Sequence, residues 1–262
     1  MHYYKAEVQY DGTNYAGFQW QPDIPTIQNE LNLAFEKLTT KKISTLGASR
    51  TDTGVHAFSQ MVKITSELKI KQQNTLDSIN ALLPFDIKIL NFSEIDGLYN
   101  PITSSQTKEY FYLFTNLPMT INESEQRFIA NFGKKLNLEI INEALTFYLG
   151  EHNFQNFYST GSNVSNTIRT IGQIELVIVN PHEIFKNSLF SAPESLDKCF
   201  QLKICANGFL KQMIRHIVSS LWMVGTEKMS LSDLKKIIEK EKSSKQLWKV
   251  APPNGLFLSK IN

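Results

Sequence analysis

At 262 residues, the chain can fold as one large domain or two modest ones, with ample core either way. Its 42% hydrophobic and 20% charged residues are ordinary for a globular protein. No apolar run is long enough to span a bilayer, and Met1-His2-Tyr3-Tyr4-Lys5 shows no signal-peptide pattern. Cys199 and Cys205 fall in one expected strand and give neither a disulfide framework nor a zinc set. The five histidines have no metal-ligand spacing, so a cytoplasmic protein without metal is expected. A net charge of +2 does not announce a nucleic-acid binder; such a surface must come from clusters such as Lys41 with Lys42, Lys134 with Lys135, or Lys211 with Arg215. The series Lys235, Lys236, Lys240, Lys242 and Lys245 alternates with Glu239 and Glu241 and reads as a solvated helix face.

Residues 3 to 10 alternate, with Tyr4, Ala6, Val8 and Tyr10 on one face, as a half-buried strand does. The loop from Asp11 to Gln21 mixes glycine, aromatics and amides, a composition suited to backbone contacts and base stacking or to packing on a core. Thr26 can cap a helix whose apolar positions are Ile27, Leu31, Ala34, Phe35 and Leu38. A strand around Ile43 and Leu46 and another from Ala57 to Ile64 flank a short polar loop. A helix through Thr75, Leu76, Ile79, Leu82 and Leu83 ends at Pro84, and Ile87, Ile89 and Leu90 begin a strand. This order, β-α-β-β-α-β, predicts a ferredoxin-like unit over 1–105. The second half, 106–262, follows the same order. It has a strand at Tyr110, Tyr112 and Phe114, then a helix at Leu138, Ile141, Leu145 and Tyr148. Strands at Ile168 to Val179 and at Phe200 to Ala206 come next, followed by a helix from Phe209 to Val224. Leu256, Phe257 and Leu258 form a closing strand. Asn156 to Asn166 and Asn180 to Pro193 read as insertions or long loops. Two such α+β units would leave a cleft where ligands commonly sit.

Chemistry concentrates in Gly47-Ala48-Ser49-Arg50-Thr51-Asp52-Thr53-Gly54-Val55-His56-Ala57. Gly54 allows a sharp turn, and in an extended loop Arg50 and Asp52 share a side, so that the cation favours an ionised carboxylate. An ionised, oriented carboxylate serves as nucleophile or base. Taken alone, Thr-Asp-Thr-Gly is also ordinary turn chemistry, and alternating tyrosines at 110 and 112 are ordinary strand core.

The whole undecapeptide resembles the signature of the tRNA pseudouridine synthase A (TruA) family. So do Tyr10-Asp11-Gly12-Thr13-x-Tyr15-x-Gly17-Phe18, Lys108-Glu109-Tyr110-Phe111-Tyr112, Phe209-Leu210-x-x-Met213-Ile214-Arg215 and Ala251-Pro252-Pro253-Asn254-Gly255-Leu256. The resemblance implies the pseudouridine synthase fold, two ferredoxin-like (RRM-like) α+β units with mainly antiparallel sheets around a central cleft. It makes Asp52 the catalytic residue and Tyr110 the residue that meets the target base. Leu210 and Met213 would wall the pocket, Arg215 would pair with Asp52, and Arg50 would be a wedge or phosphate contact. The implied reaction turns uridine into pseudouridine at positions 38, 39 and 40 of the tRNA anticodon arm, with the base flipped out of its stack. That reaction is redox-neutral and loses no group, so no cofactor is called for. The family works as a homodimer sharing a tRNA. Ser49, Ser219 and Ile102 depart from the family pattern, and the last bears on substrate choice. A glycosidase would need a second carboxylate, for which Asp11 is the loop candidate. A non-catalytic tRNA- or RNA-binding protein on the same fold is the alternative from another class.

Overall fold

The computed structural model describes residues 1–71, 75–116, 125–159, 166–239 and 248–262. Lys240, Glu241, Lys242 and Lys245 of the basic series, and residues 160–165 of the expected loop at 156–166, lie outside them. In chain order the elements are β1 (His2–Tyr10), α1 (Ile27–Thr39), β2 (Ser44–Gly47), β3 (His56–Ser66), α2 (Thr75–Leu82) and β4 (Ile87–Glu94). Next come β5 (Lys108–Thr115), β6 (Ala130–Asn131), α3 (Leu138–Leu145), β7 (Gly150–Asn153), β8 (Ile168–Val179) and α4 (Pro181–Phe185). Last are β9 (Cys199–Ala206), α5 (Met213–Gly225), α6 (Leu231–Glu239) and β10 (Leu256–Ile261). Two compact units emerge. The first comprises Met1–Gln106 with Phe185–Ser191 and Phe257–Asn262; the second comprises Thr107–Ile184 and Ala192–Leu256.

In the first unit β1 lies between β4 and β3, antiparallel to both, and β2 pairs antiparallel with β3. That order, β4-β1-β3-β2, is the ferredoxin-like arrangement expected from the sequence. Thr26 caps α1 by accepting a hydrogen bond from the Asn29 amide at 3.3 Å, and Ile27, Leu31, Ala34 and Phe35 are buried. Phe92 links helix to sheet, its ring 5.0 Å from Tyr4 and 5.8 Å from Phe35. The register slips between Val8↔Gln60 and Tyr10↔Ala57, an irregularity that turns His56 and Phe58 to the face opposite Tyr10.

That second face is covered by the segment read from sequence as a loop. Phe190 lies 4.6 Å from Phe58 and 5.9 Å from His56, ring to ring, and Phe185 lies 6.3 Å from Phe58. The Leu189 amide donates to Gln9 Oε1 at 2.9 Å. Residues 180–193 are therefore not a loose insertion: they hold α4 and two buried phenylalanines. The closing strand also differs from expectation. Phe257 and Leu258 pair in parallel with His56 and Ala57, placing this strand in the first unit's sheet, and Phe257 stacks on His56 at 4.7 Å.

In the second unit the strands order as β5-β9-β8-β7, all antiparallel, with β6 parallel to β5. One face of this sheet, carrying Tyr112, Leu202 and Ile204, is buried, as are Ile141, Ala144 and Leu145 of α3 and Ile214, Ile217 and Leu221 of α5. Helix α5 starts at Met213 rather than Phe209, because Gln212 sits in the left-handed region at φ 60 and the preceding residues form a turn. Asn137 caps α3 by accepting from the Ile140 amide at 3.3 Å.

Two residues of α5 sit in the interior with opposite outcomes. Ser219 Oγ is buried without a hydrogen-bond partner among the described residues. His216 receives the Trp248 indole N–H on Nδ1 at 3.2 Å, and its Nε2 lies 3.1 Å from Ser159 Oγ. Burial, with Arg215 beside it, pushes the His216 imidazole down to about 4, so it is neutral at physiological pH.

Ser219→Ala removes a stranded hydroxyl and improves helix propensity. It is expected to raise stability by about 1 kcal/mol in a denaturant melt. For His216, the folded pKa lies below the ordinary 6.5, so the unfolded chain binds its proton more readily. The stability this provides is complete above pH 6.5 and is lost as pH falls towards about 4. Melts across that window should show a shallower acid loss in His216→Phe than in wild type.

Candidate active site

Asp52 is held by backbone contacts on both flanks, all within the first unit. The Val55 amide donates to Asp52 O at 3.1 Å, closing a four-residue turn, with Gly54 at φ 75 where such a turn needs positive φ. The Phe18 amide donates to Thr51 O at 3.1 Å, and the Gly54 amide to Tyr15 O at 3.3 Å. The hydroxyls of Tyr10 and Thr51 are 2.8 Å apart. Upstream, the Gln60 side chain accepts from the Ser49 amide at 3.1 Å and donates to Ser49 O at 2.6 Å. A Cβ at Gly12 would stand 2.0 Å from Val55 O, and one at Gly17 would stand 2.5 Å from Thr51 O. These glycines let the loop after β1 lie directly on the Asp52 loop.

Behind the turn is a buried polar cluster. Asp11 Oδ1 accepts from the Thr13 amide at 2.9 Å and from the Thr13 hydroxyl at 2.6 Å, and lies 3.1 Å from His56 Nδ1. The Gly12 amide donates to that same Nδ1 at 3.1 Å. Burial alone would raise the Asp11 pKa, but His56 and Thr13 hold it well below the carboxylate range. Asp11 is thus committed to holding the loop, which removes it as a second glycosidase carboxylate. Tyr15 donates to Asp86 Oδ1 at 2.6 Å, and burial with that carboxylate pushes its phenol far up. The Asp52 side chain itself is half-buried, and Arg50 is exposed.

The remaining candidates lie in the second unit. Tyr110, 5% exposed, meets Phe209 edge-on at 5.1 Å between ring centres. Sequence reasoning quoted Phe209 but gave it no role; its place beside Tyr110 follows from the turn before α5. Tyr112, two residues on along the same strand face, is fully buried and donates to Pro252 O at 2.8 Å. Burial pushes its phenol far up, so it serves as core. Leu210 and Met213 are buried, and the Met213 amide donates to Leu210 O at 3.0 Å. Arg215 is half-buried, and its Nε donates to Ala251 O at 2.6 Å. The Ala251 amide returns a bond to Arg215 O at 3.4 Å. A Cβ at Gly255 would strike Leu113 O at 2.4 Å, so the 251–255 segment packs tightly on β5.

The departures from pattern have structural homes. Ser49 is bonded to Gln60, Ser219 is interior, and Ile102 is exposed in a turn whose amide donates to Asn100 Oδ1 at 2.9 Å. Among the described residues no group of three or more His, Cys, Asp or Glu could hold a metal, and no helix is long and apolar enough to cross a membrane.

A family model described as tRNA pseudouridine synthase matches residues 6–100 and 144–262. The chain is similar to tRNA pseudouridine synthase A of Pseudothermotoga lettingae, with 32% identity over the whole of both chains. It is also 32% identical to the protein of that name from Thermoanaerobacter pseudethanolicus, covering 97% of this chain and 96% of the other. The protein of that name from Clostridium acetobutylicum is 32% identical over 98% of each chain. With matches of this length bracketing the Asp52 loop, the 108–112 strand and the start of α5, the chain belongs to the tRNA pseudouridine synthase family and is an isomerase of that class.

Proposed function

We propose that this protein isomerises uridine to pseudouridine in the anticodon stem-loop of tRNA, at positions 38, 39 and 40, with Asp52 as the catalytic carboxylate. The observation that supports this most is the mounting of Asp52. It is a half-buried acid on a turn fixed through its own backbone, with two glycine contacts and a buried Asp11–His56 pair behind it. A group held that way can meet a substrate carbon without reorganising. The reaction breaks the bond from N1 of uracil to C1′ of ribose and makes one from C5 to C1′. The C5 hydrogen leaves as a proton and N1 gains one, so atoms balance with no co-reactant. Asp52 acts ionised, as nucleophile at the sugar carbon or as base on a ribose proton.

Because a stacked base shields its sugar from attack, the uridine is flipped out. Tyr110, Leu210, Arg215 and Arg50 are the substrate-binding residues in this reading: a phenol for stacking and proton exchange, an apolar wall and two cations. A homodimer working in the cytoplasm completes the proposal. It rests on the family resemblance.

Tritium release from tRNA labelled at uracil C5 tests the chemistry. Wild type should release label, and Asp52→Asn should lose roughly a thousandfold or more while still binding tRNA. Substantial residual release by Asp52→Asn would remove that residue from the mechanism. No release by wild type from tRNA unmodified at these positions would leave a binding protein on the same fold. Tyr110→Phe then divides the tyrosine's roles: loss of release indicates proton exchange, and retention indicates stacking.

A further inference from the structure

The loop after β1 holds three aromatics, and the fold sends them different ways. Tyr15 and Phe18 are buried, whereas Trp20 is 51% exposed. Of the three tryptophans in the chain, Trp248 is buried and Trp222 is half-buried with its Nε1 enclosed, so Trp20 is the one left in water. Among the described residues its side chain has neither a ring partner nor a hydrogen bond. An indole offers a very large apolar surface, and leaving half of it in water forgoes that burial.

The backbone beneath Trp20 is fixed. The Ala16 amide donates to Pro25 O at 2.9 Å, and the Ile27 and Gln28 amides donate to Gly17 O and Phe18 O at 3.2 and 2.9 Å, closing the loop at its base. The Trp20 amide donates to Gln28 Oε1 at 2.8 Å. Gln28 Nε2 in turn donates to Thr45 O at 2.7 Å, on the strand β2 that leads into the Asp52 loop. Gly17 lies directly on that loop, since a Cβ there would stand 3.1 Å from the Asp52 carbonyl carbon. Three residues of chain span at most about 11 Å, which keeps the Trp20 Cα within roughly 16 Å of that carbon. This is the length of about four to five stacked nucleotides of one strand, at about 3.4 Å each.

We propose that the Trp20 indole stacks on a base of the RNA strand, a few nucleotides from the uridine that Asp52 receives. The proposal rests on the isomerase reading and adds a stacking contact to it. Flipping a uridine unstacks its neighbours, and an indole held on the loop that braces Asp52 gives the strand a replacement face. The contact does not read base identity, because every base has a π face. Gln19 and Gln21, the sequence neighbours of Trp20, are exposed amides, which suits a wet nucleic-acid contact.

The test is tryptophan fluorescence of the full-length chain as an unmodified tRNA transcript is added. The difference between wild type and Trp20→Phe isolates the Trp20 emission from that of Trp222 and Trp248, and stacking should quench it. Trp20→Leu should weaken binding roughly tenfold, while Trp20→Phe, which keeps a ring, stays close to wild type. The slope of log affinity against log salt should hold in both variants, because the indole carries no charge. Unchanged Trp20 emission, or a Trp20→Leu affinity equal to wild type, overturns the proposal. A lowered salt slope in Trp20→Leu overturns it too, by showing a disturbed phosphate contact. So does an emission change on concentrating the protein without RNA, which would seat a second copy at the ring. Tritium release by wild type in parallel separates the two readings. Release without quenching removes only the stack, whereas quenching without release removes only the isomerisation.

Discussion

Everything proposed for Asp52 depends on two backbones touching. The loop after β1 and the loop before β3 approach so closely that a single methyl at residue 12 or 17 would overlap a carbonyl of the other strand. Close backbone contact of this kind positions a side chain more firmly than side-chain packing, because the contacting atoms have no rotamers to explore. It also explains the chemistry of the cluster behind the turn. Asp11 accepts from Thr13 and lies beside His56, whose Nδ1 accepts from the Gly12 amide, so the start of the loop after β1 is tied to the first residue of β3. Asp52 is thus left half-exposed while Asp11 and His56 behind it are buried.

The second unit uses a different device. Arg215 and Ala251 exchange two hydrogen bonds, Tyr112 donates to Pro252, and Gly255 lies on the backbone of β5. The segment 251–255 thereby connects the start of α5 to the strand that carries Tyr110. Arg215 gives its Nε–H to this structural bond. Tyr110 and Tyr112, alike in sequence, are separated by environment: one lies beside the half-buried Phe209, the other is sealed in core.

Much of this was legible in the chain. Period-2 alternation located β1, helical spacing with Thr26 located α1, and Pro84 set the end of α2, since local patterns decide such elements. The Asp52 turn was legible because glycine and aspartate mark turns whatever surrounds them. What escaped depends on contacts distant in sequence. Phe185 and Phe190 have no periodicity of their own and are recognisable as core only once His56 and Phe58 are turned towards them by a register slip. The late start of α5 reflects the left-handed conformation of Gln212, a residue with no sequence mark for it.

The first unit is discontinuous, and this has a consequence for how the protein is made. Its sheet is begun by residues 1–106 but covered on one face by 185–191 and joined at the edge of β3 by 257–262. During synthesis His56 and Phe58 are exported well before Phe190 and Phe257 exist to cover them. The emerging chain therefore carries an exposed aromatic patch beside the Asp52 loop for most of its translation, a surface suited to chaperone capture. Closure of that loop's surroundings waits for the last strand, so a ribosome that stalls late would release a chain with most of its residues and an unfinished mount for Asp52.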